Sequence, residues 1–270
     1  MIALRRVGGV FCLGAALVVA CAPAMRGVAT LPALPPGIAP IRASQADESV
    51  REAQGLFEAR EPRSVARARE LWRAVAAGSP SRVDALAGIA TTSVWLVDHE
   101  ADADAREEDA VLAVSSARVC TQAAPENAAC WYWLGAGLGV QAREKPSTGV
   151  SALPEIVKAF ERALAIDSDY EEAGPDRALA LVFLRAPGWP VGPGDPDRGL
   201  AHAEAAIRRR PDSPQNVLAL AEARASTDDR DGAVAAYRHA LDLAKVRVVS
   251  GDREANEWVE QAEAALARFR

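Results

Sequence analysis

The chain has 270 residues, of which 50% are apolar and 25% are charged, a balance typical of a protein that buries a core and keeps a charged surface. The formal net charge of −6 and the pI near 5.3 argue against the basic surface that nucleic-acid binding requires. Alanine and arginine are abundant and β-branched runs are few, which favours helices. We therefore expect an all-helical protein without a nucleic-acid partner.

Residues 1–20 have the pattern of a bacterial lipoprotein signal peptide. Two arginines are followed by an apolar stretch at 7–20, which is too short for a membrane-spanning helix. The stretch ends in Leu-Val-Val-Ala-Cys at 17–21, which resembles a lipobox. Residues 1–20 are therefore predicted to be cleaved and Cys21 to be lipidated. The alternative is an ordinary signal peptide with a coincidental cysteine.

Residues 21–45 are predicted to be a lipid-anchored, proline-rich tether. Five prolines with small residues between them prevent a helix, so this stretch should be extended. The residue after the cysteine is Ala22 and not an aspartate. In such lipoproteins this suggests sorting to the outer membrane. We expect the chain on the periplasmic face of the bacterial outer membrane, with the lipid as its only membrane contact.

From residue 46 onward, amphipathic helical stretches alternate with breakers in the manner of tetratricopeptide repeats. Each such repeat pairs a helix A with a helix B, and a small residue at position 8 lets them approach closely. The third unit shows the pattern best, with Trp131, Leu134 and Gly135 in helix A and Phe160 and Ala163 in helix B. The breakers are spaced 45, 43, 43 and 34 residues apart, at Pro80, Pro125, Ser168, Pro211 and Lys245.

These spacings predict an all-α, right-handed α-solenoid of about five helix pairs. The last spacing is the standard repeat, and the longer ones predict long A–B loops. The predicted pairs are 46–60 with 64–78, 83–98 with 104–122, 128–141 with 152–167, 174–184 with 197–210, and 214–225 with 230–245. Repeats at 46–251 are followed by a C-terminal capping helix at 252–270, which should cover the last apolar face.

Four runs sharpen the resemblance beyond a generic repeat: Trp131-Tyr132-Trp133-Leu134-Gly135, Leu153-Pro154-Glu155-Ile156, Gly174-Pro175-Asp176-Arg177, and Pro187-Gly188-Trp189-Pro190 with the residues through Asp195. Over about residues 45–250 the chain resembles the TatT family, periplasmic tetratricopeptide lipoproteins that accompany TRAP-type transporters. The resemblance implies a ligand-sized cleft and a periplasmic solute-binding protein as partner. Arg177 replaces the leucine of the repeat template, either as a polar specialisation or as a structural ion pair.

No catalytic, cofactor or metal motif is present. The three histidines lie in different units, and the acidic stretches at 98–109 and 228–232 lack the pattern of an EF-hand. No nucleophile elbow, Walker motif or Cys-x-x-Cys occurs. We therefore predict that the protein is not an enzyme and has no cofactor and no metal.

A binding site for an apolar ligand or partner is predicted in the concave groove. Trp95, Tyr132 and Phe183 are placed there by the repeat register, and Trp189 stands in the adjacent proline-rich loop. We predict that the four aromatics converge on one cavity, with Arg177 as the nearest charge for a ligand with one acidic head. Alternatively, inserted loops fill the groove, or Trp189 lies flat on helix B with no cavity beneath it.

Cys120 and Cys130 are candidates for a disulfide. They occupy facing positions of one helix B and the next helix A, and an exported protein experiences oxidising conditions. The alternative is two small buried thiols.

Two functions remain open at this point, in addition to an enzyme with an unrecognised site. The first is a periplasmic adaptor that docks a solute-binding protein or another envelope partner and handles a hydrophobic ligand. The second is a scaffold for envelope assembly without a small-molecule ligand.

Overall fold

The computed structural model describes residues 29–269, and within them the chain is helical with no strand. We number the helices in chain order: α1 (Ala46–Glu58), α2 (Pro62–Gly78), α3 (Val83–His99), α4 (Ala103–Ala123), α5 (Ala128–Glu144), α6 (Pro146–Ile166), α7 (Tyr170–Arg185), α8 (Pro196–Arg209), α9 (Pro214–Ser226), α10 (Arg230–Val249) and α11 (Ala255–Ala267). The predicted signal peptide and Cys21 lie outside the described residues. No helix in the described part is long and apolar enough to cross a membrane.

The helices form five successive A–B pairs from α1 to α10, and α11 follows as the cap. Each helix packs mainly on its neighbours in the chain, as in a solenoid. Ala262 of α11 is fully buried against the core of the fifth unit, with Trp258 and Phe269 packed beside it. The predicted all-α solenoid with a C-terminal capping helix is confirmed.

The prediction of long A–B loops is wrong for the second and third units. Only residues 100–102 join α3 to α4, and Lys145 alone separates α5 from α6. The extra residues instead lengthen α4 and α6 to 21 residues each. Pro146 begins α6 because proline is well suited to the first turn of a helix. A long A–B loop remains only in the fourth unit, at residues 186–195.

Glycines bring helices A and B into close contact. A Cβ atom on Gly88 would lie 2.4 Å from the ring of Trp72, and one on Gly135 would lie 2.8 Å from the ring of Phe160. Real Cβ contacts essentially never come this close, so even alanine would push the large aromatic side chains outwards. Gly135 therefore sets the spacing of the paired helices in the third unit, as the repeat pattern predicts, whereas Gly88 sets the spacing between the first and second units.

Residues 29–42 of the predicted tether lie against the first two units. Ile41 donates its backbone N–H to the carbonyl of Ala74 at 2.9 Å, and Arg73 donates to the carbonyl of Ala33 at 2.6 Å. Leu31 and Ile41 also pack against the first core cluster. The segment is non-helical as predicted, but this part of it is not a free spacer because its apolar side chains are packed against the domain.

The two ends of the solenoid contact each other through side chains. Arg60, in the first A–B turn, lies 2.6 Å from Glu254, just before α11. Arg253 donates to the carbonyl of Ala59 at 2.9 Å, and Glu257 lies 3.0 Å from Nε2 of His99. Burial raises the pKa of Glu254, an effect that Arg60 opposes. Polar side-chain contacts therefore connect the first and last parts of the solenoid.

Cys120 and Cys130 form a disulfide in the structure. Cys120 lies in the last turn of α4 and Cys130 in the first turn of α5, and both are fully buried. Their Cα atoms are 5.2 Å apart. The bond joins helix B of the second unit to helix A of the third.

Candidate protein-docking site

The four aromatics predicted to converge on one cavity lie in separate places. Trp95 packs with Val65 and Leu96 in one cluster, whereas Tyr132 and Phe183 belong to another. Trp189 is 90% exposed and belongs to neither. The prediction of a shared cavity is therefore wrong.

The reason is the direction in which the helix-A aromatics point. Tyr132 makes an edge contact with Phe160 of the paired helix B, with ring centroids 5.6 Å apart. Phe183 is only 1% exposed and stacks on His202 of its own helix B. These side chains fill the interface between helices A and B and do not line a concave surface. They are core residues because they pack between helices, and not because inserted loops fill the groove.

Arg177 stabilises an unusual backbone turn and does not stand at the end of a ligand pocket. Residues 171–173 all have positive φ, between 50° and 64°, although none is glycine. Arg177 donates to the carbonyl of Glu171 at 3.2 Å and to Oδ1 of Asn216 at 2.8 Å. Asn216, which is fully buried, donates in turn to the carbonyl of Glu172. The predicted role of Arg177 as the charge of a ligand site is thus replaced by a structural role.

The Gly-Pro-Asp-Arg run at 174–177 connects three units. A Cβ atom on Gly174 would lie 3.0 Å from the ring of Tyr132 in the preceding unit, so a larger residue would separate the two. Asp176, only 3% exposed, accepts hydrogen bonds from His202 at 2.8 Å and from Arg209 at 3.4 Å. This buried carboxylate was not predicted from the sequence, although its position beside Arg177 was the available signal.

The loop at 186–195 has a defined, hydrogen-bonded shape. Asp195 donates its N–H to the carbonyl of Phe183 at 2.8 Å, and Gly194 donates to the carbonyl of Pro187 at 2.9 Å. A Cβ atom on Gly194 would lie 2.1 Å from the carbonyl oxygen of Ala186, so only glycine fits where the two ends of the loop cross. Trp189 is neither a lid over a cavity nor pinned on helix B, because the loop holds it out in solvent.

Trp189 belongs to a group of exposed apolar residues that we call the apolar edge, formed by Val150, Trp189 and Val191. Val191 is 59% exposed and Val150 is 50% exposed. Gly192 brings the loop against Leu153, which lies one helical turn after Val150 on the same side of α6. Of six exposed large apolar side chains in residues 29–269, three therefore lie on these adjoining segments. Grouped exposed apolar residues mark interaction surfaces.

The comparisons with solved structures concern the fold. TTC0263, a thermophilic tetratricopeptide-repeat protein of Thermus thermophilus, matches this chain with a TM-score of 0.62 and 20% identity, over 82% of this chain and 99% of that one. The chain has the tetratricopeptide-repeat fold. Pseudomonas aeruginosa PilF also matches, with a TM-score of 0.54 and 18% identity, over 84% and 92% of the two chains. No family model and no curated protein matches the sequence.

Residues 29–269 contain no group of three or more histidine, cysteine or acidic side chains placed to hold a metal ion. The apolar edge contains no titratable side chain, so it offers contact area and no acid, base or nucleophile. A tryptophan with its ring in solvent is the kind of residue that contributes most to protein interfaces.

Proposed function

We propose that the protein is a lipid-anchored periplasmic scaffold that binds a protein partner through the apolar edge. The observation that carries this proposal is the 90% exposure of Trp189 on a hydrogen-bonded loop. A tetratricopeptide fold is typical of scaffolds that bind proteins, and a rigid loop presents its side chain with little loss of conformational entropy on binding.

The resemblance to the TatT family supports a more specific partner, a periplasmic solute-binding protein of a TRAP-type transporter. Trp189 lies within one of the runs that carry this resemblance. The second candidate is a scaffold for envelope assembly without a small-molecule ligand. It is favoured by the dispersal of Trp95, Tyr132 and Phe183 into the core. Transporter genes beside the gene for this chain would favour the first candidate.

The course of the chain supports a partner on the side away from the membrane. Ala29 lies beside Gln122 near the end of α4, at the edge where successive units join. The loop at 186–195 lies at the opposite edge, where helix A turns into helix B. The two edges are separated by the length of a helix, roughly 20 Å. An anchor before Ala29 would therefore leave the apolar edge accessible from the periplasm.

The double variant Trp189→Ala with Val191→Ser is expected to lose its partner without losing stability. Truncating a central interface tryptophan costs about 2 kcal/mol or more, so capture should fall at least tenfold. Substitutions of exposed residues change stability by about 0.5 kcal/mol at most. We would compare affinity captures from envelope extracts by quantitative mass spectrometry.

The matched control is Val246→Ser with Val249→Ser, which removes two exposed valines elsewhere on the surface. Proteins that are lost from the first variant and retained by the control are the proposed partners. Identical protein sets from wild type and both variants would contradict the proposal.

Lipidation is tested separately with Cys21→Ala. The wild type is expected to enter the detergent phase and incorporate labelled palmitate, whereas the variant should remain uncleaved or soluble because it has no acceptor thiol. Recovery of the wild type as a soluble, unacylated periplasmic protein would refute the lipid anchor and leave the apolar edge unaffected.

A further inference from the structure

A second surface lies on the helix-B side of the first two units. A groove with a volume of about 830 Å³ runs between α2 and α4, and we call it the B-helix groove. Ala66, Leu96 and Leu112 contribute apolar side chains to its lining. Its walls carry charged side chains: Arg63, Arg69 and Arg73 from α2, and Asp104, Glu107, Glu108 and Asp109 from α4.

Beyond Pro32 the chain itself covers the space between the same helices, since residues 29–34 lie against α2 and α4. Leu31, Pro32 and Ala33 lie between α2 and α4, and Arg73 reaches over to donate a hydrogen bond to the carbonyl of Ala33 at 2.6 Å. Pro32 borders both this covered part and the rest of the groove, which we call the open part. These two helices therefore accommodate an extended stretch of polypeptide alongside them.

Gly78 lets the backbone of α2 contact the backbone of the segment at 29–42. A Cβ atom there would lie 1.9 Å from the carbonyl oxygen of Ile41. The segment at 29–42 is thus held by main-chain contacts and by the apolar side chains of Leu31 and Ile41. The open part offers small side chains, Ala66 and Ala105, against which a second extended segment could lie.

The open part has an excess of unpaired negative charge. Arg69 is paired with the buried Asp109 and with Glu70, and Arg73 is paired with Glu70. Asp104 and Glu108 are exposed and form no ion pair within residues 29–269. Arg63 is the one arginine of the lining without an ion pair in that range.

The pKa of Asp109 is also affected by the negative charge around the open part. Burial raises this pKa most, Arg69 opposes the shift, and the carboxylates of Glu70 and Glu100 raise it further. A cationic side chain entering the open part would meet the unpaired carboxylates of Asp104 and Glu108, against which Arg63 is the one unpaired arginine of the lining within the described residues.

We propose that the open part of the B-helix groove binds an extended, basic segment of a partner protein. The distance along α2 from Pro62 to Arg73 is about 16 Å, which accommodates about five extended residues at 3.3 Å each. Proline or other small apolar side chains would face Ala66 and Leu112. Arginine or lysine side chains would pair with Asp104 and Glu108 at the rim. This surface is separate from the apolar edge, so its failure leaves the proposed function intact.

The test uses the full chain and a fluorescein-labelled octapeptide of alternating arginine and proline, with fluorescence anisotropy as the readout. The same octapeptide with glutamate in place of arginine is the control probe, and it should not bind. Asp104→Lys with Glu108→Lys should weaken binding of the basic probe at least tenfold. Glu260→Lys with Glu263→Lys makes the same change of charge on exposed residues of α11, and it should leave the affinity within twofold.

A steric variant separates the groove from its charged rim. Ala105 lines the open part and is half-buried, so Ala105→Trp should fill the space and weaken binding at least tenfold without changing charge. Thermal melts followed by circular dichroism would verify that each variant is folded.

Several results would overturn the proposal. Absence of binding by the basic probe would do so. Equal loss of affinity in the two double-lysine variants would also do so, because it indicates unspecific electrostatic attraction. An unchanged affinity of Ala105→Trp would place the probe outside the groove. If the basic probe binds to an Arg26→Glu variant and not to the wild type, the open part is the binding site of this chain's own N-terminal residues and not of a partner.

Discussion

Arg177→Ala is expected to lower the free energy of unfolding by about 3–4 kcal/mol. The guanidinium group donates to the carbonyls of Glu171 and Glu172 and to the side chain of Asn216. Hydrogen bonds to a charged donor contribute about 1.5–3 kcal/mol, and a buried acceptor left unpaired costs about 1–3 kcal/mol. The three left-handed residues that this arginine stabilises each carry an intrinsic cost of roughly 1–2 kcal/mol, so the turn has little stability of its own.

The expected loss is measured by urea denaturation of the wild type and the variant. Arg177→Lys should be intermediate, because lysine keeps the charge and cannot donate to three acceptors in the same fork geometry. Arg118→Ala removes an exposed arginine that is paired with Glu155, and it should change stability by less than about 1 kcal/mol. A variant Arg177→Ala that is as stable as the wild type would show that the turn does not depend on this side chain.

Cys120→Ser is expected to destabilise the protein by about 2–3 kcal/mol. The disulfide closes a loop with a sequence separation of 10 residues, and the chain-entropy estimate for a loop of this size is in that range. Both sulfur atoms are fully buried where α4 meets α5, so serine would also place a hydroxyl group in an apolar environment.

Cys130→Ser should have a similar effect, and the double variant should cost far less than the sum, because either change alone removes the bond. The comparison requires denaturant titrations without reducing agent. Two titratable thiols at Cys120 and Cys130 in the denatured, unreduced wild type would show that the bond does not form in solution.

The solenoid was predictable because its determinants are local. Gly135 stands where helices A and B of the third unit cross, and it contacts the large aromatic Phe160 of its paired helix B as the repeat pattern requires. The A–B loops were not predictable from spacing alone. An extra helical turn and an inserted loop give the same spacing, and Pro146, interpreted as part of a loop, instead starts α6.

The candidate site was harder to predict because it depends on the direction of side chains. The repeat register placed Tyr132 and Phe183 on helix A correctly, but a rotation of part of a turn separates a groove residue from a core residue. The left-handed turn at 171–173 contains no glycine, so the sequence gives no signal that predicts it. The packed segment at 29–42 had a signal that was overlooked, since Leu31 and Ile41 are large apolar residues in a stretch interpreted as a tether.

The most direct test of the central claim is photo-crosslinking at position 189 in intact cells. Trp189 would be replaced by p-benzoylphenylalanine, and the control would carry the same group at Val249, which is 87% exposed on another part of the surface. If the apolar edge is the docking surface, irradiation should give a discrete adduct with one envelope protein at position 189 and not at position 249. No adduct at position 189, or the same adducts at both positions, would contradict the account.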